Sequence, residues 1–180
     1  MGVVTPIKPA AAISKTGVIG VLATPATAAR AYTADLIAQF AADKTVIKVG
    51  STGLVAAAEA RFAGKAVPET PIQEAIAALF GAPGGDRLDA VALSCTHFPL
   101  VVDLLAAAAP RPIAWVESGP AIAQRAANLL GLSPGSGQAA ANTAAFSEAG
   151  ASVWRAYADR GFAARWALDA ETLAFAGPLS

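Results

Sequence analysis

Residues 88–100 read LDAVALSCTHFPL, and this stretch decides the architecture of the chain. Its first half, residues 88–94, is an apolar run, interrupted only by Asp89 before its closing Ser94, of the kind that a strand buried on both faces requires. Its second half holds the only cysteine and the only histidine of the 180 residues, Cys95 and His97, two positions apart. Pro99 then suits the first turn of a helix, where a missing N–H costs nothing. A buried strand that ends in a reactive pair and passes into a helix is a βα connection. In open parallel sheets such groups gather at the carboxyl ends of strands.

Working outward, three further runs fit the same sheet: residues 17–23 (GVIGVLA), 44–49 (KTVIKV) and 112–116 (PIAWV). Helical patterns separate them. Tyr32, Leu36, Ile37 and Phe40 fall along one helical face. Residues 54–64 (LVAAAEARFAG) form a helix that stops at Gly64. Thr70 is expected to cap the next helix, with Pro71 in its first turn and Gln73 three residues after the cap. That helix runs to about Phe80 and ends at the GAPGG of residues 81–85. Helices from about Pro99 and over 121–130 complete the alternation. The fold class is therefore α/β: a parallel-sheet, three-layer sandwich with helices on both faces. Residues 132–145 (LSPGSGQAAANTAA) read as a loop or linker. Residues 146–168 form a helix and a closing segment that adds little to the sheet.

Composition narrows the classes. Hydrophobic residues make up 55% of the chain, and 13 basic residues balance 13 acidic ones. No field of one sign awaits nucleic acid or anionic lipid. The longest apolar stretches are broken by Asp103, Pro110 and Glu117, short of the ~20 residues a membrane helix needs. One cysteine forms no internal disulfide, which fits a reducing compartment. The opening residues carry no signal-peptide pattern. The expectation is a soluble, cytoplasmic protein.

Cys95 follows the apolar run directly, so the positive end of the next helix and a neighbouring imidazolium would both stabilise a thiolate. Such a thiol suits proton abstraction or nucleophilic attack. The same residues admit a plainer reading, with Cys95 a small buried apolar side chain and His97 a surface one. One cysteine and one histidine are too few for a closed zinc site. No acid or amide that would orient the histidine of a cysteine hydrolase is named by the sequence. The glycines of GVIG and STG lack the spacing of a phosphate loop.

The run Cys95 to Leu100 resembles the Cys-Thr-His-aromatic-Pro-Leu motif around the second catalytic cysteine of the glutamate racemases, in the aspartate/glutamate racemase family. TGVIGVLATPAT (16–27) resembles the strand and threonine-rich turn that open the second domain of that family. IKPAAAISK (7–15) and GLVAAAE (53–59) resemble two flanking blocks. The resemblance implies cofactor-free, metal-free interconversion of L- and D-glutamate, which supplies D-glutamate for peptidoglycan. Two opposed groups invert the stereocentre, one removing the α-proton and the other returning one to the opposite face. It makes Cys95 and His97 the catalytic candidates and Thr96, Thr24 and Thr27 the substrate contacts, with Glu59 a further site residue. Threonine also caps helices, so Thr27 could simply cap the helix after it.

The family's other cysteine, in a Cys-Asn-Thr-Ala motif, has no counterpart; Ala141 to Ala144 echoes it with alanine, as chance in an alanine-rich tail. The resulting expectation divides the chain into three. Residues 1–15 are a leader from the end of a first domain, residues 16–116 the α/β domain, and residues 117–180 a segment that packs back on the first domain. Alone, such a chain is expected to racemise little or nothing. Two alternatives stand beside this reading. One is a non-catalytic, self-associating module, for which a homo-oligomer is the expected form. The other is a Cys/His hydrolase or transferase.

Overall fold

The computed structural model describes residues 5–131, 142–146, 151–168 and 175–178. Up to Leu130 its elements run α1 (Ile7–Ile13), β1 (Val18–Ala23), α2 (Pro25–Ala28), α3 (Ala31–Phe40), β2 (Thr45–Gly50), α4 (Gly53–Phe62) and α5 (Thr70–Gly81). Then follow β3 (Ala90–Leu93), α6 (Val102–Ala108), β4 (Ala114–Val116) and α7 (Gly119–Leu130). The four strands form one parallel sheet in the order β2-β1-β3-β4. The α/β class and the parallel sheet expected from residues 88–100 are therefore present. Every residue of β1 and β3 is buried, which is why both read as unbroken apolar runs.

Side chains alternate across the sheet and divide the core into two layers. Val18, Leu22, Ile47, Val91 and Leu93 join Leu54 and Ala58 of α4, Ile72, Ala75, Ile76 and Leu79 of α5, and Leu105 of α6. Ile19, Val21, Ala90 and Ala92 face the other way, onto Ile7, Ala10 and Ala11 of α1 and Leu36 of α3. Helices thus cover both faces, and the three-layer arrangement follows. Gly20 lies on the first face, where an added Cβ would come within 2.9 Å of both Leu79 Cδ2 and Val91 Cγ2.

Some local expectations need correction. Thr70 does not cap α5: the N-cap is Glu69, in a helical conformation and with no side-chain bond to the helix. Tyr32 is half exposed, and α3 buries Thr33 and Leu36 instead, with Ile37 and Phe40 packed beside them. The register of the apolar stripe is set by Leu36, and Tyr32 falls one turn outside it. Pro99 opens a 3-10 turn, Phe98–Val101, and the α-helix proper begins only at Val102.

A second compact unit gathers residues 62–65 with the described residues from 127 onward. It contains β5 (Asn142–Phe146), α8 (Ala151–Ala158), β6 (Phe162–Leu168) and β7 (Phe175–Pro178). They build a separate three-stranded sheet, β5 parallel to β6 and β6 antiparallel to β7. Residues 142–145 are thus strand where a linker was expected, while residues 132–141 lie outside the described residues. Tyr157 packs edge-on against Phe162, ring centroids 5.1 Å apart. No helix among the described residues is long and apolar enough to cross a membrane.

Candidate active site

Because β1 to β4 are parallel, their carboxyl ends share one edge of the sheet. The chain leaves β1 toward β2 on one side, and β3 lies on the other. The crevice between the ends of β1 and β3 is consequently the topological switch point, where ligands bind in open α/β sheets. Thr24 follows β1 and Cys95 follows β3 by two residues. A cavity of about 400 Å³ opens there, and Thr24, Thr27, Cys95, Thr96 and His97 all line it.

The loop after β1 is built from hydroxyls. Thr24 is the N-cap of α2, its Oγ1 accepting from the backbone N–H of Thr27 at 3.3 Å. The same hydroxyl donates to Thr27 Oγ1 at 3.0 Å, which leaves the Thr27 O–H free to donate onward. Thr33, 1% exposed, donates to the Thr27 carbonyl at 2.7 Å and ties α3 to the turn. Thr27 therefore does not cap α3, whose N-cap is Arg30. Gly50, the last residue of β2, lets this turn settle, since a Cβ there would come within 2.8 Å of Pro25 Cα.

The loop after β3 presents the thiol. Cys95 is half-buried and its carbonyl accepts from Phe98 N–H at 3.2 Å. The expected helix terminus is not adjacent to it, because the 3-10 turn intervenes. Its nearest polar partner is instead His97, whose Nδ1 lies 3.7 Å from Sγ. On the other side of the ring, Nε2 lies 2.9 Å from Glu59 Oε1. Thiol, imidazole and carboxylate thus form one line. A carboxylate that accepts from Nε2–H fixes the tautomer and leaves Nδ1 bare toward sulfur, ready to take the thiol proton. The His97 and Glu59 side chains are 37% and 57% exposed.

Glu59 arrives from α4, which buries Leu54, Ala57 and Ala58 against the sheet. Phe98, fully buried, belongs to the same apolar cluster as Leu54 and Ala58. Packing of one helix against the anchor of the Cys95 loop therefore sets the Glu59–His97 distance. Arg61, two residues on, donates to both carboxylate oxygens of Asp103 on α6, at 2.6 and 2.8 Å. Hydrogen bonding to Arg61 holds the Asp103 carboxyl below its usual value.

Arg30, Tyr32, Ser94 and Ser118 also line the cavity, and the sequence reading named none of them as site residues. Ser94 and Ser118 follow the apolar runs of β3 and β4 within two residues, a position that could have singled them out. Nothing local marks Arg30.

Fold and site together define a class: a parallel α/β domain that offers a thiol, backed by imidazole and carboxylate, at its switch point. No family model matches the chain. It is 49% identical to the glutamate racemase of Sphingopyxis alaskensis over 129 residues, 72% of this chain and 48% of that one. It is 45% identical to the glutamate racemase of Brucella ovis over 130 residues, 72% of this chain and 47% of the other. Among solved structures, the Escherichia coli glutamate racemase in complex with L-glutamate and the activator UDP-MurNAc-ala superposes with a TM-score of 0.83 at 34% identity. That match covers 98% of this chain and 65% of that one. By sequence and by fold, then, the chain is related to the glutamate racemases, amino-acid racemases. It spans about half the length of the curated relatives it matches.

Proposed function

We propose that this chain provides one face of a glutamate racemase active site, with Cys95 the proton carrier of that face. The observation that carries the reading is the line from Cys95 Sγ through the His97 ring to Glu59 Oε1, at 3.7 and 2.9 Å, opening into the switch-point cavity. His97 takes the thiol proton through Nδ1, and Glu59 steadies the ring and the charge it then carries. The thiolate removes the α-proton of one glutamate enantiomer, leaving a carbanion at Cα. In the opposite direction the neutral thiol returns a proton to that face. Thr96 and the free hydroxyl of Thr27 are the donors offered to the substrate, and Thr24 holds Thr27 in place. Such preorganised donors are what a weakly acidic α-proton requires, because charge builds on the substrate only in the transition state.

Inversion needs a second acid/base group on the far side of Cα. The 180 residues contain no second cysteine, and the proposal assigns the second role to a group that this sequence does not supply. Supply of D-glutamate to the cell wall, a cytoplasmic location and chemistry without a cofactor belong to the same proposal.

The test is deuterium incorporation at Cα of L- and D-glutamate incubated with the chain in heavy water. The expected result is exchange confined to one enantiomer, without net inversion, and lost in Cys95→Ser. Rapid racemisation by this single-thiol chain, or exchange that survives Cys95→Ser, overturns it. Glu59 favours one second reading, a thiol hydrolase or transferase, since it supplies the orienting acid such enzymes use. That reading requires an acyl-thioester on Cys95 after incubation with an activated acyl donor, visible as a mass increment.

A further inference from the structure

Resting on the reading of this cavity as a glutamate site, we propose that Arg30 is its specificity determinant, selecting anionic amino acids by pairing with a substrate carboxylate. Arg30 lines the same cavity as Cys95, Thr96 and His97. Its main chain is fixed: the N–H donates to Thr27 O at 3.3 Å, and its carbonyl accepts from Thr33 and Ala34 at 3.0 and 3.3 Å. Its exposed guanidinium has no hydrogen-bond or ion-pair partner among the described residues. Two other arginines of this unit, by contrast, are engaged, and neither Arg87 nor Arg125 lines this cavity. Arg61 forks onto Asp103, and Arg111 donates to the carbonyls of Gly85 and Leu88 while stacking on Phe80.

The rest of the lining makes the contrast sharper. It consists chiefly of hydroxyls, with Val55, Cys95 and His97, and no aspartate or glutamate is among the lining residues. Arg30 is therefore the one lysine, arginine, aspartate or glutamate among the residues that line this space. Hydroxyls alone bind a second carboxylate weakly, because they supply hydrogen bonds without charge. A guanidinium supplies both, in a planar fork that matches the carboxylate geometry. A neutral amide in the same position leaves the fork half-satisfied, which is how glutamate and glutamine become distinguishable.

The sole thiol makes the test direct. Cys95 of the full 180-residue chain is alkylated by iodoacetate and, separately, by iodoacetamide. The same sulfur displaces the same iodide in both, so the ratio of rates reports the field felt by an anion at the sulfur. Arg30→Gln is expected to lower the iodoacetate-to-iodoacetamide ratio roughly threefold to tenfold, the size of one unit charge acting across a partly solvated cavity. Arg30→Lys keeps most of the ratio, and added salt lowers it in the parent chain but not in Arg30→Gln. An unchanged ratio in Arg30→Gln, or salt-insensitivity of the parent, overturns the assignment. Protection of Cys95 by either glutamate enantiomer, measured beside glutamine, separates the two proposals. Absence of any protection in the parent chain overturns the glutamate site itself. Protection that is equally strong in Arg30→Gln, with no loss of preference over glutamine, overturns Arg30 alone.

Discussion

The two faces of the four-stranded sheet are cut from the same strands and packed in different ways. On one, Leu22, Val91 and Leu93 meet the large side chains of α5, α6 and Phe98. On the other, Ala90 and Ala92 sit opposite Ala10 and Ala11 of α1. The first face gains its stability from apolar area, at about 25 cal/mol per Å² removed from water. The second gains less area per residue and depends on close approach of backbones, for which small side chains are a requirement. Both faces feed the site: the first carries Glu59 and the Cys95 loop, the second positions α3 and its N-cap Arg30. The comparison implies that the first face is broken by making residues smaller and the second by making them larger.

The largest effect is expected from Phe98→Ala. Removing a fully buried ring leaves a cavity under the Cys95 loop and is expected to cost roughly 3–5 kcal/mol in urea unfolding. A cost below ~1 kcal/mol would mean that the loop is not anchored by this residue. On the opposite face, Ala92→Leu adds volume at a fully buried position in the cluster that α1 packs into, and is expected to cost about 1–3 kcal/mol. The volume-conserving Leu22→Met on the large-residue face serves as its control, at less than about 1.5 kcal/mol. If Ala92→Leu proves the milder of the two, the distinction between the faces fails.

The smallest effect concerns the tether of the small-residue face. The Asp89 carboxylate accepts from Ser14 Oγ at 2.6 Å and from the N–H groups of Lys15 and Thr16 at 2.7 and 2.8 Å, fastening the end of α1 to the start of β3. Burial pushes this carboxyl up, but the bonds from Ser14, Thr16 and Lys15 outweigh it and the net shift is downward. A depressed folded-state value means that the unfolded chain binds the proton first as pH falls. The contribution of Asp89 is then fully present above the ordinary carboxylate value of about 4 and declines as pH drops through the lower folded value. Asp89→Asn is expected to lose about 1 kcal/mol at neutral pH, and the gap to the parent chain should narrow below pH ~4. A gap that stays constant through that window removes Asp89 from the account.

Much of this architecture was legible along the chain because the central strands are buried on both sides. That condition forces apolar runs, and residues 17–23 and 88–94, with the unbroken AVAL of 90–93 inside the latter, announce β1 and β3. The cysteine and histidine were legible because they are singular and follow a strand end. Thr70 misled because a capping sequence competes with the loop that precedes it, and the loop placed Glu69 at the cap instead. Residues 142–145 misled because small, weakly patterned side chains do not distinguish a strand from a linker, whereas pairing with β6 does.

What the sequence determined by itself is local: the period of each element, the turn chemistry after β1, and a thiol two residues from an imidazole at the end of a buried strand. What only the tertiary structure decided is which distant groups reach that thiol. Glu59 lies 38 residues before His97 and meets it because Leu54, Ala58 and Phe98 pack in one cluster. Arg30, the N-cap of α3, lines the same cavity, on a helix whose Thr33 and Leu36 are buried. Periodicity tells which side of a helix is buried, but the distance between two helices or loops is set by the volumes that fill the space between them, and that is a property of the assembled core.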